Sequence, residues 1–332
     1  MREEREVIPH VSIVVFSRDS KDALVRCLTS IARLEYPNVT VFLADNGSTS
    51  FDPHAVESLF EGLILLENEG YPEAARGKNV ALARILKMRR TEFVLLLDED
   101  TIVHPRLVSR LVEMHDPQRA WDILQPAVYD LDDPESLYCY GGRFHPFTGR
   151  VSLNGKMPPV VDPADEAARI DVAFGFALFT HRNVLDTVGR FDEWLFPDDS
   201  DDVDFCLRAS SRSYGVAVLS DAIVWLAGGS RRSGKGGTHE AFVRAQSRSL
   251  LVRRFGRHRH RLLYLVVGPV LGAASLVGQT LRGHPAVGLA SAMGRLRGMT
   301  RSVRRSEPQE PEEPESGWGA LPDKGQGPVS PR

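Results

Sequence analysis

VLLLDEDTIVHP, residues 94–105, runs four apolar residues straight into Asp98, Glu99 and Asp100 and then on to Pro105. The run Phe93–Leu97 reads as a buried strand, and Pro105 suits the first turn of a helix that follows. Placing three acids against so much apolar surface is costly unless something cationic sits beside them. In an extended chain alternate side chains share a face, so Asp98 and Asp100 point one way and Glu99 the other. Two carboxylates on one face at the open end of a buried strand make a site for a hard divalent ion. Mg²⁺ takes one or two protein carboxylates and completes its shell with substrate phosphate and water. The strand before the acids and the helix after them favour this over a solvated acidic turn.

The same pattern recurs upstream. VSIVVF (11–16) is a short, β-branched apolar run, and the segment after it repeats Leu24, Cys27, Leu28, Ile31 and Leu34 at helical spacing before Pro37. VTVFLA (39–44) is a second buried strand that ends in the turn-forming DNGSTS, and 63–66 is a third. Residues 74–90 suit a helix with a basic end. Alternating strands and helices, with continuously apolar strands, imply an α/β fold. Its central sheet is mostly parallel and covered by helices on both faces. Ligands of such sheets bind at the carboxyl ends of the strands. Three polar clusters fall there: Ser17-Arg18-Asp19, Asp45-Asn46-Gly47-Ser48, and Asp98-Glu99-Asp100.

The second half reads as a turn-rich excursion over 138–157, then a strand, a helix and a turn within DVAFGFALFTHRNVLDTVGRFDE. A further helix starts among Asp198, Asp199, Asp201, Asp202 and Asp204, which suits the positive end of its dipole. A carboxylate among neighbouring acids has its proton affinity raised, which suits a general base. Gly229–Gly236 imitates a P-loop but places Gly236 where Ser or Thr is needed to hold Mg²⁺. No G-x-G-x-x-G follows any strand, so a dinucleotide-binding fold is not supported.

At 332 residues, 42% apolar and 26% charged, the chain reads as globular. Three widely spaced cysteines suggest neither a disulfide framework nor a zinc site and fit a reducing cytosol. The N-terminal residues lack the apolar core of a signal peptide. The net charge of −3 hides an asymmetry: residues 231–305 hold 16 Lys/Arg against one acid, Glu240. The tail 306–332 holds two basic and six acidic residues and reads as disordered. A basic block with an uncharged stretch at its centre, Leu262–Leu281, points to an anionic surface as partner. Only three aromatics lie in the block, too few for a base-stacking platform, so nucleic acid is not expected. The expected organisation is a catalytic domain over 1–256, a basic and apolar helical segment over 257–305, and the tail.

Taken together and in order, four motifs resemble family 2 glycosyltransferases of the GT-A fold, in particular the bacterial rhamnosyltransferase-like branch. They are VSIVVFSRD, VTVFLADNGSTS, VLLLDEDTIVHP and VGRFDEWLFPDDSDDVDFCLRASSRSYGVAVLSDAIVW, and the resemblance spans roughly 11–256. It implies a nucleotide-sugar transferase in which Ser17, Arg18, Asp19 and Asp45 contact the nucleotide, as do Asn68, Arg76, Asn79 and Asp98. Asp100, with Asp98, would hold Mg²⁺ or Mn²⁺. Asp202 falls on the family's catalytic base, with Asp201 beside it. Two departures stand out: Ser17 replaces a usual Asn, and Leu226 replaces a His that often completes the metal site.

The expected activity is inverting transfer of a hexosyl or deoxyhexosyl group to a hydroxyl of a glycan or lipid-linked acceptor. The protein would work at the cytoplasmic face of the cell membrane, in cell-wall or polysaccharide synthesis. A catalytically silent nucleotide-sugar- or glycan-binding module is the alternative that Leu226 raises. A nucleotidyltransferase would want a glycine-rich loop after the first strand, and SRDSKD has none.

Overall fold

The computed structural model describes residues 8–67, 73–115, 121–155, 167–228, 237–303 and 330–331. The first half alternates β1 (Val11–Ser17), α1 (Lys21–Ile31), β2 (Val39–Asp45), α2 (Pro53–Glu57), β3 (Phe60–Glu61), β4 (Leu63–Glu67), α3 (Ala74–Leu86) and β5 (Phe93–Asp98). It continues through β6 (Thr101–Val103), α4 (Leu107–Glu113), β7 (Ile123–Asp130), β8 (Asp133–Cys139), β9 (Gly142–His145), β10 (Arg150–Leu153), β11 (Ala167–Arg169) and β12 (Ala177–His181). The chain then forms α5 (Arg182–Val188), α6 (Asp201–Ser210), β13 (Val216–Leu226), α7 (Thr238–Phe255), α8 (His258–Leu281) and α9 (Pro285–Thr300). Ser330–Pro331, at the end of the tail, pairs antiparallel with β3 as β14; residues 304–329 lie outside the described residues.

The main sheet runs β11-β13-β7-β12-β5-β1-β2-β4. Its first-half strands are all parallel, as expected. β12 enters antiparallel between β5 and β7, and β13 runs parallel to β7. All residues of β1 and β2 are buried because both faces of the sheet are covered. The pleat sends Val11, Ile13 and Val15 toward α1 and α4, while Val14 and Phe16 face α3, α5 and α6. Cys27, Cys139 and Cys206 are buried free thiols.

Strand register aligns the site. Ser17 lies opposite Asp45 in the β1–β2 ladder, and Phe16 lies opposite Asp98 in the β1–β5 ladder. The three polar clusters picked out in the sequence therefore emerge along one edge of the sheet. The turn-rich excursion is the β9–β10 hairpin. The uncharged stretch lies in α8, which folds back on α9. Gly268, Gly272 and Gly288 allow that close contact: added Cβ atoms would meet Met299, Ala292 and Leu276. Gly294 and Gly298 likewise let α9 touch the backbone of α7 at Phe242 and Gln246.

A buried ion network ties α6 to α7. Asp204 is fully buried; Arg208 Nε donates to its Oδ2 at 2.7 Å, and Arg254 Nη1 lies 2.9 Å from Oδ1. Arg254 also reaches Asp192 at 2.6 Å, and Arg208 donates to the carbonyls of Val188 and Arg190. Replacing Asp204 by Ala leaves the buried Arg208 guanidinium with carbonyl acceptors but no counter-charge, and leaves Arg254 with Asp192 alone. Asp204→Ala is expected to lower the unfolding free energy by about 3–5 kcal/mol, read by urea denaturation. A variant as stable as the parent would show that the network contributes nothing.

Candidate active site

The carboxyl ends of β1, β2 and β5 open onto a cleft of about 260 Å³. Its walls are Phe16, Ser17, Arg18, Asn46, Asp98, Glu99 and Asp100 on the sheet side. Ala74 and Lys78 come from α3, and Asp198 and Asp201 from the second acidic cluster. Two acidic stretches far apart in sequence thus face one space.

The chain itself supplies a cation for these acids. Lys78 Nζ donates to Asp201 Oδ2 at 2.8 Å, and the two side chains are only 11% and 7% exposed. Burial opposes the ammonium charge, but the charges of Asp201, Asp202 and Asp98 outweigh it and hold the Lys78 pKa above its ordinary value. Lys78 was not among the residues singled out in the sequence, although Arg76 and Asn79 beside it were. Helical spacing carries the signal: Ala74 and Lys78 are four residues apart and share a face, whereas Arg76 is exposed and two residues out of phase. Another close approach fixes α3 against the β2 loop, since a Cβ on Gly77 would lie 2.3 Å from Asn46 Oδ1.

Several of the residues expected to contact the nucleotide also build the rim. Ser17 is buried, and its hydroxyl donates to Glu99 Oε2 at 2.5 Å; the backbone N–H of Arg18 donates to the same oxygen at 3.0 Å. Glu99, expected to point away, therefore lines the cleft and locks the ends of β1 and β5 together. Burial pushes its carboxyl up, against these donors. Asp19, at φ 61°, accepts from the backbone N–H groups of Thr49 and Ser50 at 2.6 and 2.8 Å, which holds its carboxyl below the usual range. Asp45 accepts from Gly47 N, Ser48 N and Ser48 Oγ and so shapes the turn after β2. Asn79 is buried, does not line the cleft, and spends its amide on Phe191 O, Phe191 N and Glu193. Asn68 lies outside the described residues.

Asp98 and Asp100 are the side chains here that could hold a metal. Among the described residues no three His, Cys, Asp or Glu groups converge as a ligand set. Two hard oxygen ligands on a cleft wall fit Mg²⁺ or Mn²⁺ arriving with phosphate oxygens and water, and do not fit a closed zinc site. Leu226 ends β13 opposite Thr101 and is fully buried in the core, so that position adds no ligand.

A larger cavity of about 500 Å³ adjoins the cleft and shares Asp198 and Asp201 with it. Asp202 faces this second cavity. Its Oδ2 accepts from Gly175 N at 2.9 Å and its Oδ1 from Val203 N at 2.7 Å. Burial, and then the Asp201 charge, push its carboxyl up to about 6, against Lys78 and the two amides. A fixed carboxylate that titrates near neutrality can take a proton from a hydroxyl. Asp199 accepts from Ser200 Oγ at 2.7 Å, and burial raises its carboxyl. Arg244 and Arg248 of α7 also line this cavity and, like Lys78, were not singled out in the sequence.

The family profile described as "Glycosyltransferase like family 2" matches residues 9–250. ExoO, a succinoglycan biosynthesis protein of Rhizobium meliloti, is 27% identical over 217 residues, 63% of this chain and 57% of its own length. A beta-monoglucosyldiacylglycerol synthase of Nostoc sp. is 27% identical over 112 residues, 32% of this chain and 24% of that protein. The chain thus spans from about a quarter to little more than half of these relatives. Among solved structures, the mannosyltransferase PcManGT from Pyrobaculum calidifontis, in complex with GDP-Man and Mn²⁺, superposes with TM-score 0.55 at 16% identity, covering 88% of this chain and 87% of that one. S. aureus TarS 1–349 gives TM-score 0.50 at 15% identity over 87% and 91%. The rhamnosyltransferase-like branch finds no specific support in these matches. With its GT-A architecture and a match over most of its length, the chain belongs to glycosyltransferase family 2.

Proposed function

We propose that this protein transfers a sugar, with inversion at the anomeric carbon, from a nucleoside-diphosphate sugar to a hydroxyl of a glycan or lipid-linked acceptor. The observation that carries this reading is the placement of Asp202. Its carboxylate is fixed by two backbone amides and faces the larger cavity, while Asp98, Asp100, Arg18 and Lys78 surround the adjoining cleft. In this reading the donor occupies the smaller cleft and the acceptor the larger cavity. Asp202 removes the acceptor proton as the new oxygen–carbon bond forms, and the old bond's electron pair leaves with the diphosphate. Asp98 and Asp100 would hold Mg²⁺ or Mn²⁺, which when bound neutralises charge on the leaving diphosphate. Arg18 stands where it can meet the nucleotide, and Asp201 with Lys78 sets the proton affinity of Asp202.

A silent binding module has no observation in its favour. Leu226 is buried in the core and does not line the cleft, and a carboxylate tuned near neutrality is of no use to a module that only binds.

The same reading extends to the membrane surface. α8 is 24 residues long, enough for about 36 Å, and is mostly exposed. Leu262, Leu265, Val266 and Val270 on it, with Leu289, Met293 and Leu296 on α9, form an uncovered apolar face. Arg257, Arg259, Arg261 and Arg282 bracket α8. Because α8 lies along α9, and α9 along α7, the hairpin suits the interfacial plane at the cytoplasmic side better than a crossing.

Four outcomes follow for sugar transfer and binding. Asp202→Asn should lower kcat by roughly 10²- to 10⁴-fold, and parental turnover would remove the base assignment. Rate against pH should rise through about 6, where Asp202 becomes deprotonated, and stay high above it. Lys78→Met removes a charge that favours the Asp202 carboxylate, so its limb should move to higher pH; an unmoved limb would separate Lys78 from the base. Finally, the protein should sediment with anionic vesicles but not zwitterionic ones, less so as salt rises; protein left in the supernatant at physiological salt would refute the membrane contact.

A further inference from the structure

We propose that the cavity beside Asp202 takes a phosphate-bearing acceptor, whose phosphate is gripped by Arg248 and Arg244. This rests on the functional reading above and names the chemical class of its acceptor.

The cavity carries both signs of charge. Its lining includes Asp198, Asp199, Asp201 and Asp202 from the acidic cluster and, from α7, Arg244 and Arg248, one helical turn apart. Two more guanidinium groups stand behind them, Arg150 on β10 and Arg295 on α9. Four cations from three elements converge near Asp199; Arg244 is also paired with Glu240 on its own helix, so Arg248 is the cavity-lining cation left without such a partner among the described residues. Arg248 and Arg150 make no side-chain hydrogen bond to any described residue. Arg295 gives one N–H to Tyr264 OH at 3.1 Å and leaves its buried Nε unmatched. Burial, and then repulsion from Arg295, Arg150 and Arg244, bring the Arg248 pKa down to about 10. Holding like charges together costs free energy that an incoming anion would return.

The arrangement is built rather than incidental. Gly149, at φ 68°, brings the β9–β10 hairpin down on α7, where a Cβ would lie 2.0 Å from the Arg248 carbonyl oxygen. Phosphate fits the pair, because its several oxygens can bridge two guanidinium forks at once. The acidic side chains repel the anion from Asp202, which leaves that position for the acceptor hydroxyl.

The arginines also abut the apolar hairpin. Phe147 packs on His260 at the start of α8 with ring centroids 4.3 Å apart, and Arg295 joins α9 to Tyr264 of α8. A phosphate carried by a lipid therefore reaches the site as readily as a soluble one.

The test is calorimetric titration of the full chain with sn-glycerol 3-phosphate and dihexanoyl phosphatidic acid. Glycerol and dihexanoylglycerol serve as neutral counterparts, with and without nucleoside diphosphate and Mn²⁺. Both phosphates should bind at least about tenfold more tightly than their neutral counterparts, as expected of a charge-assisted pair. Arg248→Gln should abolish that preference, Arg248→Lys should keep part of it, and Arg150→Gln, on the exposed hairpin, should reduce it. Tighter binding of the lipid phosphate would identify a lipid source, and equal binding a soluble one. Equal affinity for charged and neutral probes, or an Arg248→Gln protein of parental Tm that binds phosphate as before, would overturn the proposal. If Arg248→Gln does not fold, Arg150→Gln and Arg248→Lys decide by the same comparison. Failure to bind nucleoside diphosphate would count instead against the functional reading, because that ligand belongs to the other cleft.

Discussion

The pairing of Lys78 with Asp201 is the contact on which the arrangement of the site depends. It joins α3, from the first half of the chain, to the N-terminal turn of α6, from the second. Without it Asp98, Glu99, Asp100, Asp198 and Asp201 would face one another across the smaller cleft uncompensated by Lys78. Like charges so placed raise one another's proton affinity and resist closure of the cleft. A buried pair adds little net stability, but removing one partner is expensive, so the pair fixes how the two halves meet. It also sets the balance at Asp202: burial and Asp201 push that carboxyl up, while Lys78 and two backbone amides restrain it.

The second acidic cluster, uniform in sequence, divides its labour in three dimensions. Asp201 is committed to Lys78, Asp202 faces open space, and Asp204 is buried among arginines from α6 and α7. Asp199 lies near the arginines of the larger cavity. The two cavities share Asp198 and Asp201 as a common wall, so the charge of Asp201 on one cavity raises the carboxyl of Asp202 on the other.

How much of this the sequence discloses depends on the range of the interaction. Continuous apolar runs such as VSIVVF and VTVFLA disclosed the parallel strands, because burial on both faces leaves no polar alternation. The polar residues at their ends disclosed the edge that carries the site. Side-chain roles at that edge were less legible. Ser17, Asp19 and Asp45 look like ligand contacts, yet nearby donors and acceptors claim them, and only the register of β1 against β2 and β5 decides this. Helical phase turns Asn79 toward Phe191 and Glu193, while Lys78, one residue earlier, faces the acids. Arg248 and Arg254 were invisible for a different reason: the charged groups beside them lie on other segments, Asp192, α6, β10 and α9, and no local pattern joins those segments.

The central claim is that the acids of the smaller cleft, already part-balanced by Lys78, are completed by a divalent ion that arrives with a nucleoside diphosphate. Calorimetric titration of UDP and GDP, with and without Mn²⁺, into the parent and Asp100→Asn proteins tests this most directly. The account predicts binding of at least one nucleotide that strengthens markedly with Mn²⁺ and loses that gain in Asp100→Asn. Affinity indifferent to Mn²⁺, or a gain that survives in Asp100→Asn, would contradict it.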